Sequence, residues 1–183
     1  MANASTTGFG LKPIKMVGQS DENMGLAEFP VAASSSAIYF QDMVAMAATG
    51  YAAVAAAATT HNLGSLNGVF YTDTTSLKPT FKNYLPGSIS ATDIKALINS
   101  NPLQMYEVRS NNSGASAQTD VGNSAEISYA VGVTPNWISR TTLDDSTLNN
   151  STSQQLKIIG LSRDPDNRDL TAAGVVWRVI IME

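Results

Sequence analysis

Hydrophobic and polar residues alternate with a period of two in several short runs, separated by glycine, proline and asparagine. The strongest run is near the C-terminus. Val175, Trp177, Val179 and Ile181 fall on one face, and Val176, Arg178, Ile180 and Met182 on the other. Apolar side chains on both faces predict a strand covered on both sides, in a barrel, a sandwich or an oligomer contact. Leu156-Lys-Ile-Ile-Gly-Leu161 predicts a second strong strand. Met105, Glu107 and Arg109 oppose Tyr106 and Val108, the pattern of a half-buried strand. Ile94, Ala96 and Ile98 alternate before Asn101-Pro102; Thr92 or Asp93 could cap a helix there, but about seven residues is short for one. Shorter strands are predicted at 69–72 and 127–131, with an extended piece at 81–85. Gly64 and Asn67-Gly68 read as turn residues ahead of the first of these.

Residues 37–60 carry a divided signal. Alanine is the best helix former, yet Ile38-Tyr39-Phe40 is strand-like and Gly50 sits between two apolar halves as a hairpin turn would. Two strands around Gly50 are expected. The first 35 residues predict an extended arm: Gly8, Gly10 and Pro13 discourage helix, and Leu11, Ile14, Met16 and Val17 supply apolar anchors. Within it, residues 18–25 read as a polar turn and 26–31 as an edge strand. The segment 139–153, rich in Thr, Asn, Asp and Ser, is expected to stay outside any core. Short strands about 8 to 15 residues apart, with turn chemistry between them, predict an all-β fold: one barrel or sandwich-like domain at 36–183 preceded by an arm at 1–35.

Composition narrows the function. Of 183 residues, 43% are apolar and only 14% charged, against about 25% charged in a typical soluble domain. The net charge of −4 argues against a nucleic-acid surface. Without cysteine, disulfides, thiolate metal sites and thiol nucleophiles are excluded, and synthesis in a reducing cytosol is accommodated. The N-terminus carries no secretory pattern. The longest apolar stretch, 43–58, is mostly alanine and broken by Thr49-Gly50, so no membrane span is expected.

The search for chemistry returns little. The single histidine, His61, sits beside Asn62 and Gly64 and reads as a solvated loop residue; no Gly-x-Ser-x-Gly elbow accompanies it. Asp164-Pro-Asp166-Asn167-Arg168-Asp169 is the densest acidic cluster. An EF-hand loop starting at Asp164 needs glycine sixth and glutamate twelfth, where Asp169 and Val175 stand, so a charged turn is favoured. Asp144-Asp145 is a weaker candidate of the same kind. Asp73, Asp93, Glu107 and Asp120 could supply paired carboxylates, but no spacing selects a pair. There is no phosphate loop and no dinucleotide fingerprint. Trp137 and Trp177 are expected to fill core or interface. No catalytic residue, metal or cofactor is expected.

Several motifs occur in a set order: Gly68-Val-Phe-Tyr-Thr-Asp73, Phe81-Lys-Asn-Tyr-Leu-Pro-Gly87, Asp93-Ile-Lys-Ala96, Asn101-Pro-Leu-Gln-Met-Tyr-Glu-Val108, Gln118-Thr-Asp-Val-Gly-Asn123 and Leu156-Lys-Ile-Ile-Gly-Leu161. With the opening Phe9-Gly-Leu-Lys-Pro13 and Gly18-Gln19, the chain resembles small virion structural proteins of marine tailed bacteriophages, including cyanophages, regarded as head decoration or capsid cement proteins. The resemblance implies a β-rich body on the outer surface of an icosahedral shell. Its partners would be the major capsid protein and its own copies, in a homo-oligomer such as a trimer, with no nucleic acid or membrane involved. Phe9, Leu11, Pro13 and Ile14 of the arm are the expected capsid-binding residues, so deleting residues 1–18 is expected to abolish shell binding and leave the body folded. Rival readings are a tail, fibre or head-fibre component, a carbohydrate-binding module with Trp137 as platform, and a hydrolase using unpaired acids.

Overall fold

A computed structural model of the chain describes residue 3 and residues 7–18, 25–112 and 115–182. Residues 19–24 of the expected polar turn lie outside the described residues. Among the described residues, thirteen strands follow in order: β1 (Lys12–Met16), β2 (Leu26–Pro30), β3 (Met43–Met46), β4 (Ala52–Val54), β5 (Asn62–Thr72), β6 (Pro79–Lys82), β7 (Lys95–Asn99), β8 (Gln104–Arg109), β9 (Ser124–Ala125), β10 (Ile127–Ser128), β11 (Thr142–Leu143), β12 (Leu156–Leu161) and β13 (Val176–Ile181). Two single-turn 3-10 helices, at Gln118–Asp120 and Asp145–Thr147, interrupt them. No helix among the described residues is long and apolar enough to cross a membrane.

The strands form two larger antiparallel sheets packed together, a sandwich-like all-β fold. The first runs β1-β8-β13-β12-β9 and the second β2-β7-β5-β3-β4, with β6 also paired to β5; β10 and β11 make a small separate pair. Alternation in β13 buries Trp177 and Val179 completely, Val175 just before the strand is buried as well, and they pack with Tyr106, Leu156 and Ile158 from their neighbours. Met43 and Ala45 of β3 belong to the same core. Val44, one residue between them, belongs to a second core with Leu66, Val69 and Ile98, closed by Val31, Ile38 and Leu85 from the connecting segments. The second sheet is therefore a middle layer, with the first sheet on one face and folded-back loops on the other. A buried polar seam lies between the sheets: the Tyr106 hydroxyl donates to the Asn99 carbonyl at 2.5 Å, and Asn99 Nδ2 donates to Ser65 Oγ at 3.4 Å.

The hairpin around Gly50 forms as expected, with Gly50 at φ 80° between β3 and β4. β7 is a strand rather than a helix, its Ala96 and Ile98 fully buried. Three expectations change. Gly64 and Asn67-Gly68 are not turn residues ahead of a strand. They lie inside β5, where the register shifts at Val44/Ala45 against β3 and at Leu66/Gly68 against β7. Gly64 has φ 151°, and a Cβ there would collide with the Asn99 carbonyl oxygen; the glycine marks a close approach, not a turn. The first part of the polar segment at 139–153 enters the interior: Leu143 is fully buried, with Ser139, Thr141 and Asp145 buried beside it, while residues 146–153 stay outside the core as expected.

The third change concerns the arm. Its described residues are extended, but they are woven into the body. β1 pairs with β8 in the first sheet and β2 with β7 in the second. Leu11 is 0% exposed and belongs to the first core. Gly10 and Leu11 donate their N–H groups to the Thr141 and Gln41 carbonyls at 3.0 and 2.9 Å. One of the arm's apolar anchors, Leu11, thus completes a core, while Ile14 and Met16 are half-buried and Val17 is exposed.

Candidate functional site

A concavity with one apolar and one acidic wall lies beside β1 and β8. Its apolar wall joins three distant segments. The Phe40 N–H donates to the Trp137 carbonyl at 2.9 Å and the Ser139 N–H to the Phe40 carbonyl at 2.9 Å, while Leu11 N–H reaches Gln41. These ties set the rings of Phe9 and Phe40 and the side chain of Ile138 around a cleft of about 440 Å³, within the usual range of ligand sites. Ile138 is 40% exposed, and Phe9 and Ile138 also border an adjoining groove of about 340 Å³ with Val133, itself 45% exposed.

The opposite wall is acidic. Glu107 of β8 is held by Lys12 Nζ at 3.4 Å and by the Ser162 hydroxyl at 2.6 Å. The turn at 164–167 follows β12. Asp164 accepts the Asp166 N–H at 3.0 Å, and buried Asn167 clamps Val176 twice: its Nδ2 donates to the carbonyl at 2.8 Å and its Oδ1 accepts the N–H at 2.9 Å. The acidic cluster is thus a built turn, in keeping with the charged-turn reading, and it points Asp164 and Asp166 at solvent beside the cleft.

Under the apolar wall sits Asp42, fully buried. The Tyr39 N–H donates to its Oδ2 at 2.8 Å, and Oδ1 has no hydrogen-bond partner. Burial pushes its pKa up to about 6, against the weaker lowering pull of Ser139, Tyr39 and Thr141.

The four residues expected at a docking face separate. Phe9 stands at the cleft. Pro13 and Ile14 are half-buried in β1, and Leu11 faces the core and cannot meet a partner while the fold is intact. His61 is exposed at φ 57°, its Nδ1 3.1 Å from the Thr60 hydroxyl, with no carboxylate bonded to it among the described residues. The other acids build turns. Asp73 takes the Ser76 N–H and hydroxyl at 2.7 and 2.9 Å, which hold its pKa below the ordinary carboxylate value. Asp93 is lowered likewise by Thr72, and Asp120 accepts the Ala117 N–H at 2.7 Å. Asp144 caps the second 3-10 helix, and buried Asp145 accepts the Ser110 hydroxyl; burial raises its pKa. Among the described residues no group of three or more acids and histidines could hold a metal ion. Trp177 is core, as expected. Trp137 stacks on Tyr84 at 4.1 Å and 7° and also on Tyr39 at 5.9 Å, so its ring is already engaged.

Reading the sequence missed Phe40, Ile138 and the unusual position of Asp42. Phe40 carried a strand signal but nothing marked it as a surface wall. No protein-family model, curated protein or solved structure matches the chain.

Proposed function

We propose that the chain is a virion structural protein of a tailed bacteriophage that decorates and stabilises the capsid by binding the major capsid protein on the shell's outer surface. The ordered motifs from Phe9 to Leu161 support this reading. The observation that carries it is the apolar rim of exposed Val133 and Ile138 with half-buried Phe9, beside an acidic wall, a mixed surface of the kind that marks protein contacts. A second exposed apolar pair, Phe70 and Phe81, directly opposed on β5 and β6, offers a surface for association between copies. No bond-making step is asked of the chain.

The mechanism is mass action. A protein that binds only the expanded lattice lowers that state's free energy by its binding free energy, and repetition over the shell multiplies the effect. The docking residues are revised from the N-terminal set: Phe9 stays, Phe40 and Ile138 join it, and Leu11 serves the fold. A carbohydrate platform at Trp137 is disfavoured because its ring stacks on Tyr84.

The test is co-sedimentation of the purified chain with expanded shells of the major capsid protein, followed by electron microscopy. Density over the whole shell is expected, with Ile138→Asp lowering occupancy at equal concentration by about tenfold or more, as removal of an interface anchor does. Absence from the shell, or density confined to a tail or one vertex, overturns the reading.

A further inference from the structure

The cleft's hydrogen-bonding capacity is one-sided. Among the described residues, three carboxylates, those of Glu107, Asp164 and Asp166, line it with one lysine, Lys12, which already binds Glu107. The Ser162 hydroxyl is spent on Glu107, and the Asn167 amide on Val176. The acceptors are not spent. Asp166 is exposed, and Asp164 uses one oxygen on a backbone N–H. Asn3 also lines the cleft and is 6% exposed. Its Nδ2 donates to the Asp169 and Ala172 carbonyls at 3.0 and 3.5 Å, which fixes the amide's orientation, and its Oδ1 has no partner among the described residues. The open acceptors are therefore the exposed carboxylates of Asp164 and Asp166, and surplus acceptors carrying negative charge beside an apolar wall call for a donor-rich cation.

The geometry points to an arginine side chain, carried on an extended segment of a partner protein, as the occupant of this cleft. A guanidinium has five N–H donors and no acceptor, which matches what the cleft leaves open. It pairs with carboxylates through two parallel bonds. Its apolar stem and flat charged group lie well against aromatic rings, here Phe9 and Phe40, where the compact ammonium of lysine fits less well. An apolar residue flanking the arginine seats in the adjoining groove at Val133. This assignment deepens the docking reading and rests on it only for the partner's being the shell protein.

The experiment titrates the full-length chain with acetyl-Leu-Arg-Leu-amide, following backbone amide resonances. The control peptide replaces arginine with citrulline, which keeps the shape and removes the charge. Saturable shifts confined to the neighbourhood of residues 9, 40, 107 and 162–167 are expected, with affinity about tenfold or more weaker for the citrulline peptide. The Asp164→Asn/Asp166→Asn double variant, at two exposed positions, is expected to melt like the parent and to lose affinity for the arginine peptide to a similar degree. Equal binding of the two peptides, shifts elsewhere, or no binding overturns the assignment. Measuring uptake on shells separates the two readings. Peptide binding without shell uptake leaves the arginine cleft standing and sinks the capsid role. Shell uptake that the double variant does not weaken sinks the cleft alone.

Discussion

Asp42 sets a pH dependence that can be assigned to one side chain. Its folded pKa, pushed up to about 6 by burial, exceeds the ordinary value of 3.8. The native state therefore binds the proton more tightly than the unfolded chain. The group's contribution to stability is greatest below about pH 4 and is lost as pH rises from about 4 to 6, by about 3 kcal/mol in all. Asp42→Asn keeps an acceptor for the Tyr39 N–H and removes the charge. Urea unfolding at intervals from pH 4 to pH 8 is expected to show the variant gaining on the parent through that window, with little difference at its acid end. A parallel pair of curves would show that the carboxylate is not the group responsible. Nothing in the sequence marked Asp42, because its burial depends on residues 139–141 folding over it. Asn167 was equally silent: its place in a turn was legible, but its partner is the backbone of Val176, nine residues on.

At the level of elements, the outcome divides by how local the determining forces are. The β3–β4 hairpin was legible because Gly50 supplies a left-handed turn within the hairpin itself. β13 was legible because its alternation is uninterrupted. β5 was not. Its glycines look like turn residues until the Asn99 carbonyl beside Gly64 and the Phe81 ring beside Gly68 are in view. The N-terminal strand was misjudged for the same reason: its pairing partners lie far along the chain. Since Leu11 fills the first core, Leu11→Ala is expected to cost about 2 to 5 kcal/mol of stability, the usual range for a fully buried leucine. An unfolding curve within about 0.5 kcal/mol of the parent would instead restore the free arm. The deletion of residues 1–18, imagined as a clean test of docking, removes β1 and part of a core and so tests the fold.

For the whole molecule, β3 is the member common to both cores, with Met43 and Ala45 facing one and Val44 the other. Neither core can be lost without exposing apolar residues of the strand that serves the other. A single cooperative transition is expected, and the two tryptophans can report it. Trp177 lies in the first core, and Trp137 stacks on Tyr39 and Tyr84, neighbours in sequence of Ile38 and Leu85 in the second. In Trp177→Phe and Trp137→Phe variants, each remaining fluorophore should melt together with the far-ultraviolet signal of its own variant; separated midpoints would reveal two independently folding units. The sequence by itself determined the all-β class, the principal strands and the lack of cysteine chemistry, since alternation, turn residues and the presence of a side-chain type are local properties. Only the tertiary structure decided that the N-terminal strand belongs to the body, that Asp42 is buried, and that Phe9, Phe40 and Ile138 face Glu107 and Asp166 across one cleft. Those facts depend on contacts between segments far apart in the chain, and they exist only once the two sheets have packed.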